Sequence, residues 1–110
     1  MGKRRDWMEW EGGYEALVHA ARELIGVMND PAMAPPDERE AYARAGNLNE
    51  RLVRQYVAAG VITPGERRSK EVIFGARQLL QLATARHLMA VERWKLPQIA
   101  RLTGGASIEA

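Results

Sequence analysis

The stretch NLNERLVRQYVAAGVITPG, residues 47–65, constrains the fold more than any other part of the sequence. Its centre predicts an amphipathic helix over residues 50–59, because apolar side chains recur there at helical spacing. These apolar positions are Leu52, Val53, Tyr56 and Val57. Asn49 is a preferred N-cap residue, and Gly60 is the residue type that closes a helix in the left-handed conformation. The stretch therefore predicts a short helix with defined ends, followed by a turn at residues 63–65.

The predicted helix also carries Arg51, Arg54 and Gln55, which spacings of three and four place along one rim. An arginine fork binds guanine edges or phosphate, and a glutamine pairs with adenine, so such a helix suits the major groove of DNA. Side chains of the same types also keep an exposed helix soluble. For this helix alone, DNA contact and a solvated surface explain the pattern equally well.

A second basic cluster follows soon after the helix. Residues 66–74 predict a β-hairpin whose tip carries Arg67, Arg68 and Lys70. Phosphate contacts position a protein on DNA, and a basic hairpin beside a groove-binding helix would supply them. Two basic elements this close in sequence favour a nucleic-acid interface over two unrelated solvated surfaces.

The remaining elements are mainly helical. Apolar residues at helical spacing predict helices over residues 14–28 and 75–91, and a last short helix stops at residues 104–105. Three prolines interrupt the helical pattern within residues 29–36. Acidic residues after the last of these prolines predict a short helix within residues 36–46. The chain length is that of one domain with one modest core.

Charge is unevenly distributed along the chain. The 110 residues carry a net charge of +2, but residues 1–50 hold six Lys/Arg against ten Asp/Glu and residues 51–101 hold ten against three. A basic half of this kind is a plausible electrostatic footprint for a polyanion. No apolar run approaches the ~20 residues that cross a bilayer, and there is no cysteine. We expect a cytoplasmic protein without membrane association.

The sequence offers no set of residues for catalysis or metal binding. His19 and His87 are 68 positions apart, on two predicted helices, and lack the spacing of metal ligands. No glycine-rich loop precedes a helix, and no serine has the setting of a nucleophile. We therefore expect neither an enzyme nor a bound metal or cofactor.

The order of these elements resembles the winged-helix domain of MerR-family transcription regulators. The resemblance rests on LNERLVRQYVAAGVITPG, on the basic hairpin that ends in VIFGARQLLQL, and on WKLPQIARL. It implies a mainly α fold, a winged helix-turn-helix with a small β-hairpin wing, over residues 14–105. Within this domain, residues 29–46 are a proline-rich insertion. Residues 1–13 are a polar N-terminal segment, and residues 106–110 are a tail.

The resemblance also implies functional residues and a partner. Arg51 and Arg54 match the motif arginines, Tyr56 matches the second motif tyrosine, and Phe74 matches the aromatic residue that closes the wing. In that family the motif helix enters the major groove, while tyrosine and wing residues bind phosphates. The expected function is sequence-specific binding of double-stranded DNA by a transcriptional regulator. The predicted DNA-binding residues are Asn49, Arg51, Arg54, Gln55, Tyr56, Arg67, Arg68 and Lys70. Tyr56 alternatively belongs to the core.

Some features differ from the family pattern. Gln55 occupies the place of a usual tyrosine, Val72 occupies a wing position that is often arginine, and the family's long dimerisation helix is not part of this sequence. Paired DNA recognition would then need self-association on DNA or a protein partner, with Trp7, Trp10 and Trp94 as candidate contacts. The main alternative function is a MerR-like adaptor module that binds a protein partner rather than DNA. An architectural factor similar to excisionases lies between the two.

Overall fold

The computed structural model of the chain describes residues 9–103. These residues form five α-helices and a small antiparallel sheet of three strands. The predicted mainly helical fold with a β-hairpin is confirmed at this level. Trp7, the helix stop at residues 104–105 and the C-terminal tail lie outside the described residues.

The helices lie close to their predicted positions. They are α1 (Tyr14–Met28), α2 (Arg39–Ala45), α3 (Glu50–Ala58), α4 (Ala76–Ala90) and α5 (Leu96–Thr103). Two 3-10 turns, Pro31–Met33 and Pro36–Glu38, precede α2, because proline fits the first turn of a helix but cannot continue one. The predicted insertion therefore contains a helix of its own, and only residues 46–49 separate that helix from α3.

The sheet has the strand order β1–β3–β2, and both strand pairs are antiparallel. The strands are β1 (Glu11–Gly12), β2 (Glu66–Arg68) and β3 (Glu71–Gly75). Strands β2 and β3 form the predicted hairpin, with Arg67 opposite Val72 and a two-residue turn in which Ser69 has a left-handed φ of 58°. The sequence does not predict β1, because two residues are too few to show the alternation of a strand.

Helix α3 has the ends that its sequence predicts. Asn49 Oδ1 accepts a hydrogen bond of 2.9 Å from the Leu52 amide, and Gly60 has a positive φ of 81°. The chain then turns so that the Val61 amide donates to the Tyr56 carbonyl at 2.9 Å. Because Val61 is fully buried, the segment after the helix folds back under it.

The core surrounds α4, which packs against α1, α2, α5 and β3. The largest fully buried apolar side chains are Tyr56, Phe74, Leu17, Ile25, Ile62, Leu82, Ile99, Val53 and Val61. Helix α2 joins the same core through Ala45, which is fully buried. In addition, Arg86 of α4 donates to the carbonyl oxygens of Arg44 at 2.6 Å and Ala45 at 3.0 Å. The insertion is thus packed into the domain and fixes the chain immediately before α3.

Candidate nucleic-acid interface

The exposed side of α3 borders a groove that two other elements close. The N-terminal half of α1 forms one wall, and the β2–β3 hairpin forms the other. We call this depression the wing groove, and its acidic, basic and histidine side chains are Glu15, His19, Arg22, Glu50, Arg54, Arg67, Lys70 and Glu71. The structure thus brings Arg54 of the helix to the same groove as Arg67 and Lys70 of the hairpin.

Arg54 is held in position by contacts within the protein. Its Nη2 forms an ion pair of 2.5 Å with Glu50 Oε2, one helical turn earlier. Its guanidinium carbon lies 4.2 Å from the centre of the Tyr14 ring, a cation–π contact. Tyr14 packs edge-on against Phe74 at 4.9 Å, so the end of β3 supports the ring on which Arg54 rests. The hydrogen bond to Glu50 raises the pKa of Arg54.

Arg51 and Gln55 lie on the other side of α3. Together with Arg22 they line a second depression beside residues 46–49, which we call the turn depression. The rim that the sequence predicts along α3 is therefore divided between two surfaces. Arg54 faces the wing groove, whereas Arg51 and Gln55 face the turn depression.

Asn49 lies where these two surfaces meet. It is exposed and lines both depressions, so it has the accessibility that a DNA-binding residue needs. Its side-chain oxygen is committed to the Leu52 amide as the helix cap. Asn49 therefore has a structural role in α3 whether or not it also contacts DNA.

The structure contradicts the predicted phosphate contact of Tyr56. The residue is only 1% exposed, and its ring belongs to the core cluster. Its hydroxyl accepts a hydrogen bond from Arg86 Nη1 at 3.1 Å and donates to the Met89 sulfur at 2.9 Å. Burial of the aromatic ring outweighs its value as a surface hydrogen-bonding group. The alternative interpretation, a core residue, is therefore confirmed.

Arg68 is less available than its neighbours in the hairpin. Its Nη1 and Nη2 pair with the two carboxylate oxygens of Glu11 at 3.0 and 2.9 Å, and Nη2 also donates to Glu66 at 2.9 Å. These bonds raise the pKa of Arg68, and the hydrogen bond and charge of Arg68 lower the pKa of Glu11. A phosphate would have to compete with two carboxylates for Arg68. Arg67 and Lys70, which line the wing groove, are therefore the more available cations of the hairpin.

Three further residues of this surface could not be identified from the sequence. Tyr14 supports Arg54 from the start of α1. Arg22 lies 26 positions before Leu48 but donates to its carbonyl at 2.9 Å, and Arg86 lines the turn depression from α4. Each reaches one of the two depressions through packing of distant elements, which spacing along the chain does not reveal.

The two histidines have local partners. His87 Nδ1 bonds to Asn29 Oδ1, and its Nε2 lies 3.5 Å from Glu92. His19 Nε2 lies 3.4 Å from Glu23 on the exposed side of α1. Among residues 9–103, no three His, Cys, Asp or Glu side chains come together as a candidate metal site.

Trp10 and Trp94 are half-buried and pack against the core cluster. Neither tryptophan lines the wing groove or the turn depression. Packing within the chain accounts for their burial, whereas their predicted role in self-association stays a prediction.

Comparison with protein-family models, with curated proteins and with solved structures gives no match for this chain. Within residues 9–103, no helix has both the length and the apolar character needed to cross a membrane.

Proposed function

We propose that the protein is a MerR-like winged helix-turn-helix protein that binds double-stranded DNA as a transcriptional regulator. Helix α3 enters the major groove, and the β2–β3 hairpin lies on the phosphate backbone. The observation that carries the proposal is the wing groove, where Arg54, Arg67 and Lys70 border one open space. A cationic depression between an exposed helix and a hairpin suits a phosphate backbone that passes beside the major groove.

The dimensions and surface of α3 support this placement. Its nine residues give a length of about 14 Å at 1.5 Å per residue, comparable with the major-groove width of about 12 Å. Its buried residues, Val53 and Tyr56, face the core. The face toward solvent carries Arg51, Arg54 and Gln55, which have the hydrogen-bonding groups that contact base edges and phosphates.

We expect Arg54 to contact a base rather than a phosphate. The Glu50 carboxylate at 2.5 Å would repel a phosphate placed on the same guanidinium. A guanine edge carries no negative charge that Glu50 would repel. Its O6 and N7 accept two hydrogen bonds from an arginine fork. Glu50 adds an acceptor for the amino group of a neighbouring cytosine. The pair therefore favours sequence-specific binding.

The proposal is tested by fluorescence anisotropy with duplexes selected from a random pool and with scrambled duplexes, across a salt series. The protein should bind the selected duplex more tightly, with a steep dependence on salt. Arg54→Ala should weaken binding of the selected duplex by ~1–3 kcal/mol and reduce the preference over scrambled DNA. Arg77→Ala is the matched control, because Arg77 is exposed at the start of α4 and lines neither depression.

One outcome would contradict DNA binding, and another would contradict the base contact of Arg54. Weak binding of every duplex without dependence on salt would exclude DNA as the partner. An equal loss on selected and scrambled duplexes in Arg54→Ala would show that Arg54 contacts phosphate only.

The alternative, an adaptor that binds a protein, is favoured by one observation. Val27 and Met33, at the end of α1 and in the 3-10 turn that follows, are each 81% exposed. These two exposed apolar residues are the candidate contacts for a protein partner. If DNA binding fails, a search for protein partners should compare the wild type with the Val27→Ser/Met33→Ser variant.

A further inference from the structure

The turn depression differs in charge from the wing groove. Three arginines line it, Arg22 from α1, Arg51 from α3 and Arg86 from α4, together with polar side chains that include Gln55. None of the residues that line it is acidic, whereas Glu15, Glu50 and Glu71 line the wing groove. The turn depression is therefore the more strongly cationic of the two surfaces beside α3.

We propose that the turn depression, which no hairpin residue lines, is a second binding site for backbone phosphate on the side of α3 away from the hairpin. The inference rests on the proposed function, and its ligand is a phosphodiester group of the same DNA duplex. A helix in the major groove lies between the two phosphate backbones that border it. Cations on both sides of α3 then contact both backbones, and Arg51 binds a phosphate rather than a base.

The arginines of this site are partly fixed by backbone oxygens. Arg22 Nη2 donates to Leu48 at 2.9 Å, and Arg86 donates to Arg44 and Ala45 at the end of α2. A guanidinium has five N–H donors, so the bond to Leu48 leaves donors of the exposed Arg22 for a ligand. Both arginines therefore hold the turn before α3 and add positive charge beside it.

Arg51 is the least constrained of the three arginines. It is exposed, and it does not take part in the ion pairs or hydrogen bonds that hold Arg54, Arg22 and Arg86 in the described part of the chain. A phosphate on Arg51 meets no carboxylate in the turn depression. The same phosphate on Arg54 would meet Glu50, so the structure separates a base-reading arginine from a phosphate-binding arginine three positions earlier.

The site also gives the predicted insertion a function. Residues 46–49, which directly follow α2, form one wall of the turn depression, and Arg86, which also lines it, fixes the end of α2. The end of the insertion would thus hold residues 46–49 in place beside the proposed phosphate site.

Salt-dependent binding of the full chain tests the inference, with Arg51→Gln as the main variant. Each lost phosphate contact lowers the magnitude of the log Kobs versus log salt slope by about 0.9. We expect this change in Arg51→Gln on both the selected and the scrambled duplex. Arg22 lines both depressions, so Arg22→Gln should also lower the slope and Arg22→Lys should recover it, whereas Arg51→Gln tests the turn depression alone. Arg101→Gln is the control, since Arg101 is exposed on α5 and lines neither depression.

The outcomes separate this inference from the proposed function. If wild-type protein binds DNA and Arg51→Gln leaves the slope unchanged, the turn depression is not a phosphate site. A loss confined to the selected duplex would make Arg51 a base contact and would also overturn the inference. If the wild type binds no duplex, the proposed function fails first and the inference fails with it. Thermal melting of each variant verifies that the fold is intact.

Discussion

At the scale of single residues, Gly60 determines how the chain leaves α3. Its φ of 81° lies in the left-handed region, which residues with a Cβ atom adopt only with strain. We predict that Gly60→Ala lowers the free energy of unfolding by ~1 kcal/mol or more. Urea unfolding followed by tryptophan fluorescence would measure the change.

Gly26→Ala is the matched control for this prediction. Gly26 lies within α1, is exposed, and has no atom within 4 Å of the position that a Cβ would occupy. Alanine is favoured over glycine in a helix by ~1 kcal/mol, so Gly26→Ala should raise stability. An equal gain in Gly60→Ala would show that the left-handed cap is not needed.

Local chemistry identified the ends of α3, but it could not distinguish neighbouring side chains of similar type. Asn49 and Gly60 are local signals, because cap geometry depends on a few adjacent residues. Arg51 and Arg54 look equivalent in the sequence, yet Tyr14 and Glu50 hold only Arg54. The contact with Tyr14 arises from tertiary packing, which one helix does not encode, whereas the pair with Glu50 has the i,i+4 spacing of neighbours on the same helix.

At the scale of elements, the basic side chains of the hairpin differ in whether they are already bound to carboxylates. Arg67 and Lys70 line the wing groove, whereas Arg68 is bound to Glu11 and Glu66. We predict that Arg67→Ala/Lys70→Ala lowers the magnitude of the salt slope by about 1.8, from about 0.9 for each lost phosphate contact. The loss of affinity should be equal on selected and scrambled duplexes, because phosphate contacts carry no sequence information.

Arg68→Ala is the comparison for the hairpin. Its guanidinium is already paired with carboxylates, so the slope should change much less than in Arg67→Ala/Lys70→Ala. If Arg68→Ala lowers the salt slope as much as the double variant does, DNA displaces Glu11 and Glu66 from Arg68. If the double variant leaves the salt slope unchanged, the hairpin does not contact DNA phosphates.

Some helices and strands can be predicted from the sequence more accurately than others. Periodic apolar residues predict α1, α3 and α4 within a residue or two, since burial on one side imposes that pattern. Strand β1 has two residues, and its pairing with β3 depends on a partner more than 60 positions away. Glu11 of β1 is therefore an unexpected partner for Arg68, and the sequence alone overestimates the freedom of that arginine.

At the scale of the whole molecule, the fold mixes the two halves that differ in charge along the sequence. Arg22 comes from the acidic half but lies beside Arg51 in the turn depression. Glu15 and Glu50, also from the acidic half, lie in the wing groove with Arg67. The basic half of the sequence shows in which part of the chain Lys and Arg are concentrated. It does not show the difference in charge between the two depressions, which arises only in the folded chain.

Arg86 links three elements of the molecule through one side chain. It donates from α4 to Arg44 and Ala45 at the end of α2 and to the Tyr56 hydroxyl of α3. A hydrogen bond that involves a charged group contributes ~1.5–3 kcal/mol. We predict that Arg86→Met lowers the free energy of unfolding by at least about 2 kcal/mol, because methionine fills similar space without the donors.

Urea unfolding of Arg86→Met is compared with Arg77→Met, which changes an exposed arginine of the same helix. Tyr56→Phe should have a smaller effect, since it removes only one of the three acceptors. Equal stability of the Arg86 and Arg77 variants would mean that apolar packing of Ala45 alone holds α2 on α4. The predicted loss would instead show that one half-buried network aligns α2, the turn and α3, and so connects the stability of the fold to the shape of the candidate interface.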